Sequence, residues 1–403
     1  MNTHKSIFDK CYAFTEAEDA RATGLYPFFK PISRSAGSKV YVHGRELLML
    51  GSNNYLGLAN DPRLVEAARI ATEKFGTSCS GSRFMNGTLD LHEELEARLA
   101  SFVGKEDALC FSTGYQSNLG SISALLNRGD HVIVDKYDHA SIMDGVFLAE
   151  GLKHNINLHR YNHNNLKELE KELARIPLEE PKLIVVDGVF SMEGDIVPLP
   201  EVKALADKYH AGIYLDEAHA IGVVGRNGRG TCEHFGGDFS LADIIMCTFS
   251  KSFGSLGGFV AGDRKVIDYI RHAARPLMFS ASMPPANIAA ASRALDIMQN
   301  EPELIHKLQR NARLLIDGFT AAGFNTGTTE TPIVPLVIGD NEKTFLLWKA
   351  LYEGGIYVNP VISPAVPPQR SLLRISCMAV HEESELSQAI DLISDEARKL
   401  GII

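Results

Sequence analysis

Basic charge is in short supply in this sequence. Lysine and arginine number 40 against 50 aspartates and glutamates, a formal charge of −10. Proteins that hold nucleic acid present a basic patch to the phosphates. The short basic groups here, such as Arg271, His272 and Arg275, read instead as a helix face or a local anion contact, so no nucleic-acid partner is expected. Cysteine is scarce as well. Cys11, Cys79, Cys110, Cys232, Cys247 and Cys377 are scattered, with no C-x-x-C pair and no histidine at zinc-ligand spacing. That argues against a disulfide framework and predicts reduced thiols, no metal site and a cytoplasmic setting. Long apolar runs are missing. The first stretch, MNTHKSIFDKCYAFTEAEDARATG, is charged throughout, unlike a secretory signal. No window approaches the ~20 apolar residues that cross a bilayer. Peripheral contact with a membrane surface stays open. Neither an internal repeat nor a low-complexity linker occurs.

What is present is an ample core. The chain has 403 residues, 45% of them hydrophobic, and its length alone suggests two to three domains. An amphipathic helix is expected over roughly 5–23, then an extended GLYPFFKPI, then a hairpin (VYV, a turn at HG, ELLML). Residues 1–59 read as an N-terminal arm and hairpin. Over 60–285 short apolar strands alternate with helices. The strands are ALCFS (108–112), HVIVD (131–135), LIVVD (183–187), GIYLD (212–216), IIMCT (244–248) and then GGFVAG. Alternation of this kind predicts an α/β domain with a mostly parallel sheet. Residues 286–403 read as a smaller α+β domain.

In open α/β sheets ligands sit beyond the carboxyl ends of the strands. Candidate residues from separate strands converge there. Lys251 lies in the Ser/Gly-rich turn TFSKSFGSLGG (248–258), where small neighbours let a phosphate approach the backbone and hydroxyls. It is either a solvated charge or an imine-forming amine. Asp216 ends GIYLD in YLDEAHAIGVVGRNGRG (214–230), with His219 three residues on. A buried strand-end carboxylate needs a cationic partner, and the ring nitrogen of pyridoxal phosphate (PLP) would be one; a helix N-cap is the plainer reading. Glu217 is expected to face elsewhere. Gly114 and Tyr115, in FSTGYQSNLG (111–120), open a predicted helix whose free N–H groups suit a phosphate. His139, in DKYDHASIMDG (135–145), and Ser191 also follow strands.

Together TFSKSFGSLGG, LDEAHAIGVVGRNGRG, GVFSMEGDIVPL and NNYLGLA resemble the α-oxoamine synthases, over about residues 25–400. The resemblance implies an aspartate-aminotransferase-like fold of type I, PLP as cofactor, a homodimer, and decarboxylating transfer of an acyl group from acyl-CoA to an amino acid. It implies that Lys251 carries PLP as a Schiff base and acts as base. Asp216 would pair with the ring nitrogen, His219 bond the ring hydroxyl and His139 stack on the ring. Gly114, Tyr115 and Thr248 would hold the phosphate, with Ser191 near the ring and Ser280 and Ala281 reaching the partner's phosphate. Arg374, in LLRISCMA, would grip the substrate carboxylate. Asn53, Asn54 and Tyr55 would line the mouth of the site, the partner's site being one option. GTSCSGSRFMNGTLDLHEELE (76–96), GLYPFFKPI and the SPAVPP segment are most similar to bacterial members that take L-serine and a long-chain acyl-CoA. Glycine-using members are the nearest alternative. Thr23 and Ala365 depart from the pattern of the 8-amino-7-oxononanoate synthases, and SPAVPP departs from the form seen in some serine-using members, which leaves the acyl chain undefined.

Overall fold

The computed structural model describes residues 6–403. Its centre is a seven-stranded sheet. The strand order is Asp107–Phe111, Gly258–Gly262, Ile244–Thr248, Gly212–Asp216, Lys182–Asp187, His131–Asp135, Asn157–Tyr161. The last five run parallel. Helices cover both faces, so these strands need apolar residues on both sides, and Ile244–Thr248 is buried at every position. That double burial makes them readable as unbroken apolar runs.

Two strands differ from expectation for physical reasons. Gly258–Gly262 pairs antiparallel with both neighbours. The chain returns from Thr248 through residues 249–257 alone, too short for the dozen or more residues of a parallel crossover. Asn157–Tyr161 was not expected as a strand. Its sequence NLHRY is polar and mostly half-buried because it forms the sheet edge, so it shows no apolar run.

The helix expected over 5–23 is two helices, Asp9–Tyr12 and Glu16–Ala22, and neither buries a residue; residue 5 lies outside the described residues. Without a surface to pack on, helices this short gain little stability from continuing. The expected hairpin is present as Lys39–Val42 and Arg45–Met49, flanked by Ile32–Ala36. Its inner strand also pairs, in parallel, with Ile356–Tyr357. Val40, Val42, Leu47 and Met49 pack there against Met378, so the segment before residue 59 shares a sheet and a small core with the C-terminal part. The remaining sheet is antiparallel, with Leu372–Ser376 between Ile333–Val337 and Asn359–Val361. Ser376 N donates to Leu50 O at 2.8 Å and Ala379 N to Tyr55 O at 2.7 Å. These bonds bring residues 50–55 against the strand that carries Arg374.

Candidate active site

Four adjacent parallel strands end at one edge of the central sheet in Asp135, Asp187, Asp216 and Thr248. Asp187 and Asp216 are register partners. Beyond this edge lies a cavity of ≈ 240 Å³. Gly114, Tyr115, His139, Asp216, His219, Thr248 and Lys251 all line it. Two larger hollows, of ≈ 710 Å³ around Arg226 and Arg310 and of ≈ 800 Å³ around Arg83 and Arg264, include none of these residues.

Each side chain is set by local structure. Thr113 caps the helix Gly114–Leu125, its hydroxyl accepting from Gln116 N at 3.1 Å. The free end of that helix faces Thr248, whose hydroxyl is 2.8 Å from that of Ser250. A Cβ on Gly114 would stand 2.6 Å from the Thr248 side chain, so the close approach requires glycine. His139 caps the helix Ala140–Lys153 and its Nδ1 lies 2.7 Å from the Ser141 hydroxyl. Its backbone N–H donates to Asp187 at 3.2 Å. Tyr115, half exposed, donates its hydroxyl to Asp144.

Asp216 is buried, and its two oxygens accept only from neutral donors: Asn118 Nδ2 at 2.6 Å and Ala218 N at 2.9 Å. No ion pair reaches it among the described residues. A buried carboxylate so placed is complementary to a protonated ring nitrogen. The free helix end, the Thr248 and Ser250 hydroxyls and the glycine cradle suit a phosphate. Lys251 lines the same cavity as both of these features, so the residues present fit PLP.

The electrostatics follow from burial. Desolvation lowers the Lys251 amine to about 8, although Asp216 and Asp187 pull it upward. Desolvation also lowers His139, with Asp216 opposing it and the charge of Lys251 adding to it. His219 is driven well below its ordinary value by burial, with Lys251 and Arg374 adding to the effect. Both imidazoles are therefore neutral at pH 7. Asp187 is pushed well up by burial and by Asp216 beside it.

The other expected residues fall in a second tier. Arg374 is 4% exposed. Its Nε donates to Ser191 O at 2.6 Å, which is how Ser191 enters the site, through its carbonyl. No carboxylate pairs with this guanidinium among the described residues. Asn53 is half-buried, but Tyr55 is fully buried in its own chain and does not stand at a mouth. Apolar packing around NNYLGLA draws the ring inward. Its hydroxyl lies 2.7 Å from His219 Nδ1. Ser280 accepts from Gln116 Nε2 at 2.9 Å, and the Ala281 carbonyl accepts from the Ser112 hydroxyl at 2.5 Å.

Several residues at the site were not singled out in the sequence. Asn118 lies one helical turn after Gly114, on the same face, and that spacing could have marked it. Asp187 ends LIVVD just as Asp216 ends GIYLD, and this repetition was the available signal. Asp138 and Ser141 sit within the His139 motif and show only once the loop is folded: Asp138 accepts from Asp135 N at 2.8 Å and Asp187 N at 3.0 Å. Glu217 does face away, as expected, yet it is buried and clamps the glycine-rich loop by accepting from Thr231 N at 2.9 Å.

Comparison with known proteins matches residues 45–393 to the aminotransferase class I and II family. A serine palmitoyltransferase of Sphingobacterium spiritivorum is 50% identical over 94% of this chain and 93% of its own. That of Bacteroides thetaiotaomicron is 47% identical over 95% of each. Among solved structures, a serine palmitoyltransferase variant from S. paucimobilis with a bound PLP–myriocin aldimine superposes with a TM-score of 0.94 at 37% identity, covering 99% of this chain and 100% of that one.

Proposed function

The chain belongs to the class I and II aminotransferase family, and within it we propose that the protein condenses L-serine with a long-chain acyl-CoA, palmitoyl-CoA in the first instance, to give 3-oxosphinganine, CoA and carbon dioxide. The fold is the aspartate-aminotransferase-like type I, and the protein is a PLP-dependent acyltransferase of the α-oxoamine synthase type. The observation that carries the amino-acid half of the reaction is Arg374, a buried guanidinium with no carboxylate partner among the described residues, linked through the Tyr55 hydroxyl to His219, which lines the cavity that holds Lys251. The choice of serine and of a long acyl chain rests on the relatives.

PLP bound at Lys251 supplies the electron sink that makes an amino-acid Cα proton acidic. Because burial holds its amine near 8, Lys251 has a sizeable neutral fraction at physiological pH. It can thus act as a nucleophile toward the cofactor carbonyl and as the base that takes the Cα proton. Asp216 would hold the ring nitrogen, Gly114, Thr248 and Tyr115 the phosphate end, and His219 the ring hydroxyl. Arg374 fixes the serine carboxylate through paired N–H donors, with neutral His139 on the ring face ready to hydrogen-bond it. In the overall change Cα loses its proton and attacks the thioester carbonyl, the CoA thiolate leaves, the bond to the carboxylate breaks with loss of carbon dioxide, and Cα takes up a proton in its place.

We further propose a homodimer. Phe279 is 73% and Met85 77% exposed, and their loops adjoin through Ser282 N, which donates to Gly81 O at 2.9 Å. Six free cysteines are in keeping with the reducing conditions of the cytoplasm. No described helix is long and apolar enough to cross a membrane, and contact with a membrane surface remains a matter of the lipid product.

The test is a spectral titration of the PLP-loaded protein with L-serine, glycine and L-alanine, followed by CoA release from palmitoyl-CoA. A visible band that responds to serine, and release that requires serine, is the expected result. Release from acetyl-CoA with glycine would replace the proposed substrates by those of the glycine-using members. Absence of a visible band after addition of PLP would remove the cofactor assignments.

A further inference from the structure

The fully buried hydroxyl of Tyr55 lies 2.7 Å from His219 Nδ1 and 3.3 Å from Arg374 Nη2. Arg374 can only donate, so the phenol oxygen accepts from the guanidinium and keeps its own proton for another acceptor. Two acceptors are in reach, His219 Nδ1 and, at 3.3 Å, Asn53 Oδ1. The shorter contact marks the phenol's bond to the imidazole.

We infer that Tyr55 is a positioning residue that couples substrate-carboxylate recognition at Arg374 to the cofactor ring through His219. This rests on the roles proposed above for Arg374 and His219. With Tyr55 O–H donating to Nδ1, the single proton of the neutral imidazole sits on Nε2, the nitrogen left to serve the cavity. The bonds reinforce one another: donation by Arg374 makes the phenol a stronger donor, which makes Nε2–H a stronger donor in turn. A carboxylate arriving at Arg374 competes for the guanidinium, weakens the chain, and changes the hydrogen bond offered to the ring oxygen. Arriving substrate is thereby sensed at the ring before any bond to it changes. Burial excludes water that would otherwise screen the relay or replace the phenol, and it explains a tyrosine that touches neither the cavity nor the surface.

The readout is the pH midpoint of the visible band of the PLP-loaded protein, measured with and without 3-hydroxypropionate, which carries serine's carboxylate and hydroxyl but no amine. Tyr55→Phe deletes the hydroxyl alone. A weaker Nε2–H donor stabilises an anionic ring oxygen less, so the midpoint rises, by about half a pH unit or more for one hydrogen bond. In the parent the ligand raises the midpoint too, by its own charge and by weakening the relay. In Tyr55→Phe only the charge effect remains, so the increment falls to about half or less, read as a double-mutant cycle. Replacing Tyr55 by 3-fluorotyrosine, a stronger donor of nearly the same shape, lowers the midpoint and serves if the phenylalanine variant folds poorly. An unchanged midpoint and increment in both variants would overturn the coupling. Arg374→Ala separates the two levels. If it leaves 3-hydroxypropionate affinity unaltered, the reading of Arg374 fails and the coupling with it. If affinity falls while the Tyr55 variants behave like the parent, only the coupling fails.

Discussion

Lys251 is the residue on which the proposed chemistry turns, and two outcomes belong to it. Lys251→Ala removes the amine from a site whose other members are held by independent bonds. It should keep the parent's circular dichroism but form no borohydride-reducible adduct with PLP, read by mass spectrometry; a retained adduct would place the imine elsewhere. The second outcome is a pH dependence. The neutral amine is the reacting form, and burial sets its midpoint at about 8. Adduct formation by the PLP-free protein should therefore rise with pH and level off above that midpoint. Asp216 favours the protonated amine, so Asp216→Asn should move the rise to lower pH while weakening cofactor retention. Stopped-flow rates across pH 6–10 in the two proteins test the sign. Lys251, Asp216 and His139 were legible because strand ends in α/β sheets converge, and the order of strands in the chain gives away the ends. Asn118 and Asp187 were not singled out, since a helical asparagine and a second strand-end aspartate look like ordinary capping residues until their partners are known. The resemblance implies Tyr55 at the mouth of the site; only packing shows that the ring turns inward.

Elements matter through how closely they approach. The helix Gly114–Leu125 meets the strand Ile244–Thr248 at a point where a Cβ on Gly114 would stand 2.6 Å from the Thr248 Cβ and Oγ1. Thr248 is buried and β-branched, so it has little freedom to yield. Gly114→Ala should cost about 1–3 kcal/mol by overpacking, and weaken PLP binding about tenfold or more as the helix end backs away from the phosphate; equilibrium dialysis reports it. The loop after Asp216 gives the opposite kind of test. Glu217, fully buried beneath it, is raised from 4.5 to about 7 by desolvation. Its folded pKa lies above its unfolded value, so the unfolded state loses its proton first as pH rises. Stability therefore falls between those two pH values and levels off above the higher one, by at most about 3 kcal/mol. Glu217→Gln cannot ionise, so its melting temperature relative to the parent should climb from pH 5 to pH 8, and a constant difference would contradict the assignment. At this scale the sequence was readable wherever burial is two-sided, as in IIMCT and HVIVD. It was opaque where an element sits at an edge, as NLHRY does, or has nothing in its own chain to pack on, as with the helices between residues 9 and 22.

The whole molecule couples its two ends and, in the proposed homodimer, its two subunits. Pairing of Arg45–Met49 with Ile356–Tyr357 joins the first strands to the last third of the chain, and the bonds from Ser376 and Ala379 to residues 50–55 seat Tyr55 beside Arg374. The recognition of substrate proposed for Arg374 would thus depend on contacts between parts of the sequence more than 300 residues apart, which local patterning could not reveal. The second coupling concerns Phe279 and Met85, apolar side chains exposed on adjoining loops, Phe279 directly before Ser280 and Ala281. If these loops form the contact between two copies, charging them breaks the dimer and takes the Ser280–Ala281 phosphate contact away from the neighbouring site. Phe279→Asp with Met85→Asp should sediment as a monomer where the parent is a dimer, and should lose about tenfold or more in PLP affinity, as expected for a charge-assisted hydrogen bond to phosphate. The two readouts discriminate. A monomer with undiminished affinity would mean that each chain completes its own phosphate site, with Ser280 bonded to Gln116 as it stands here. A variant that remains dimeric would move the interface to another face.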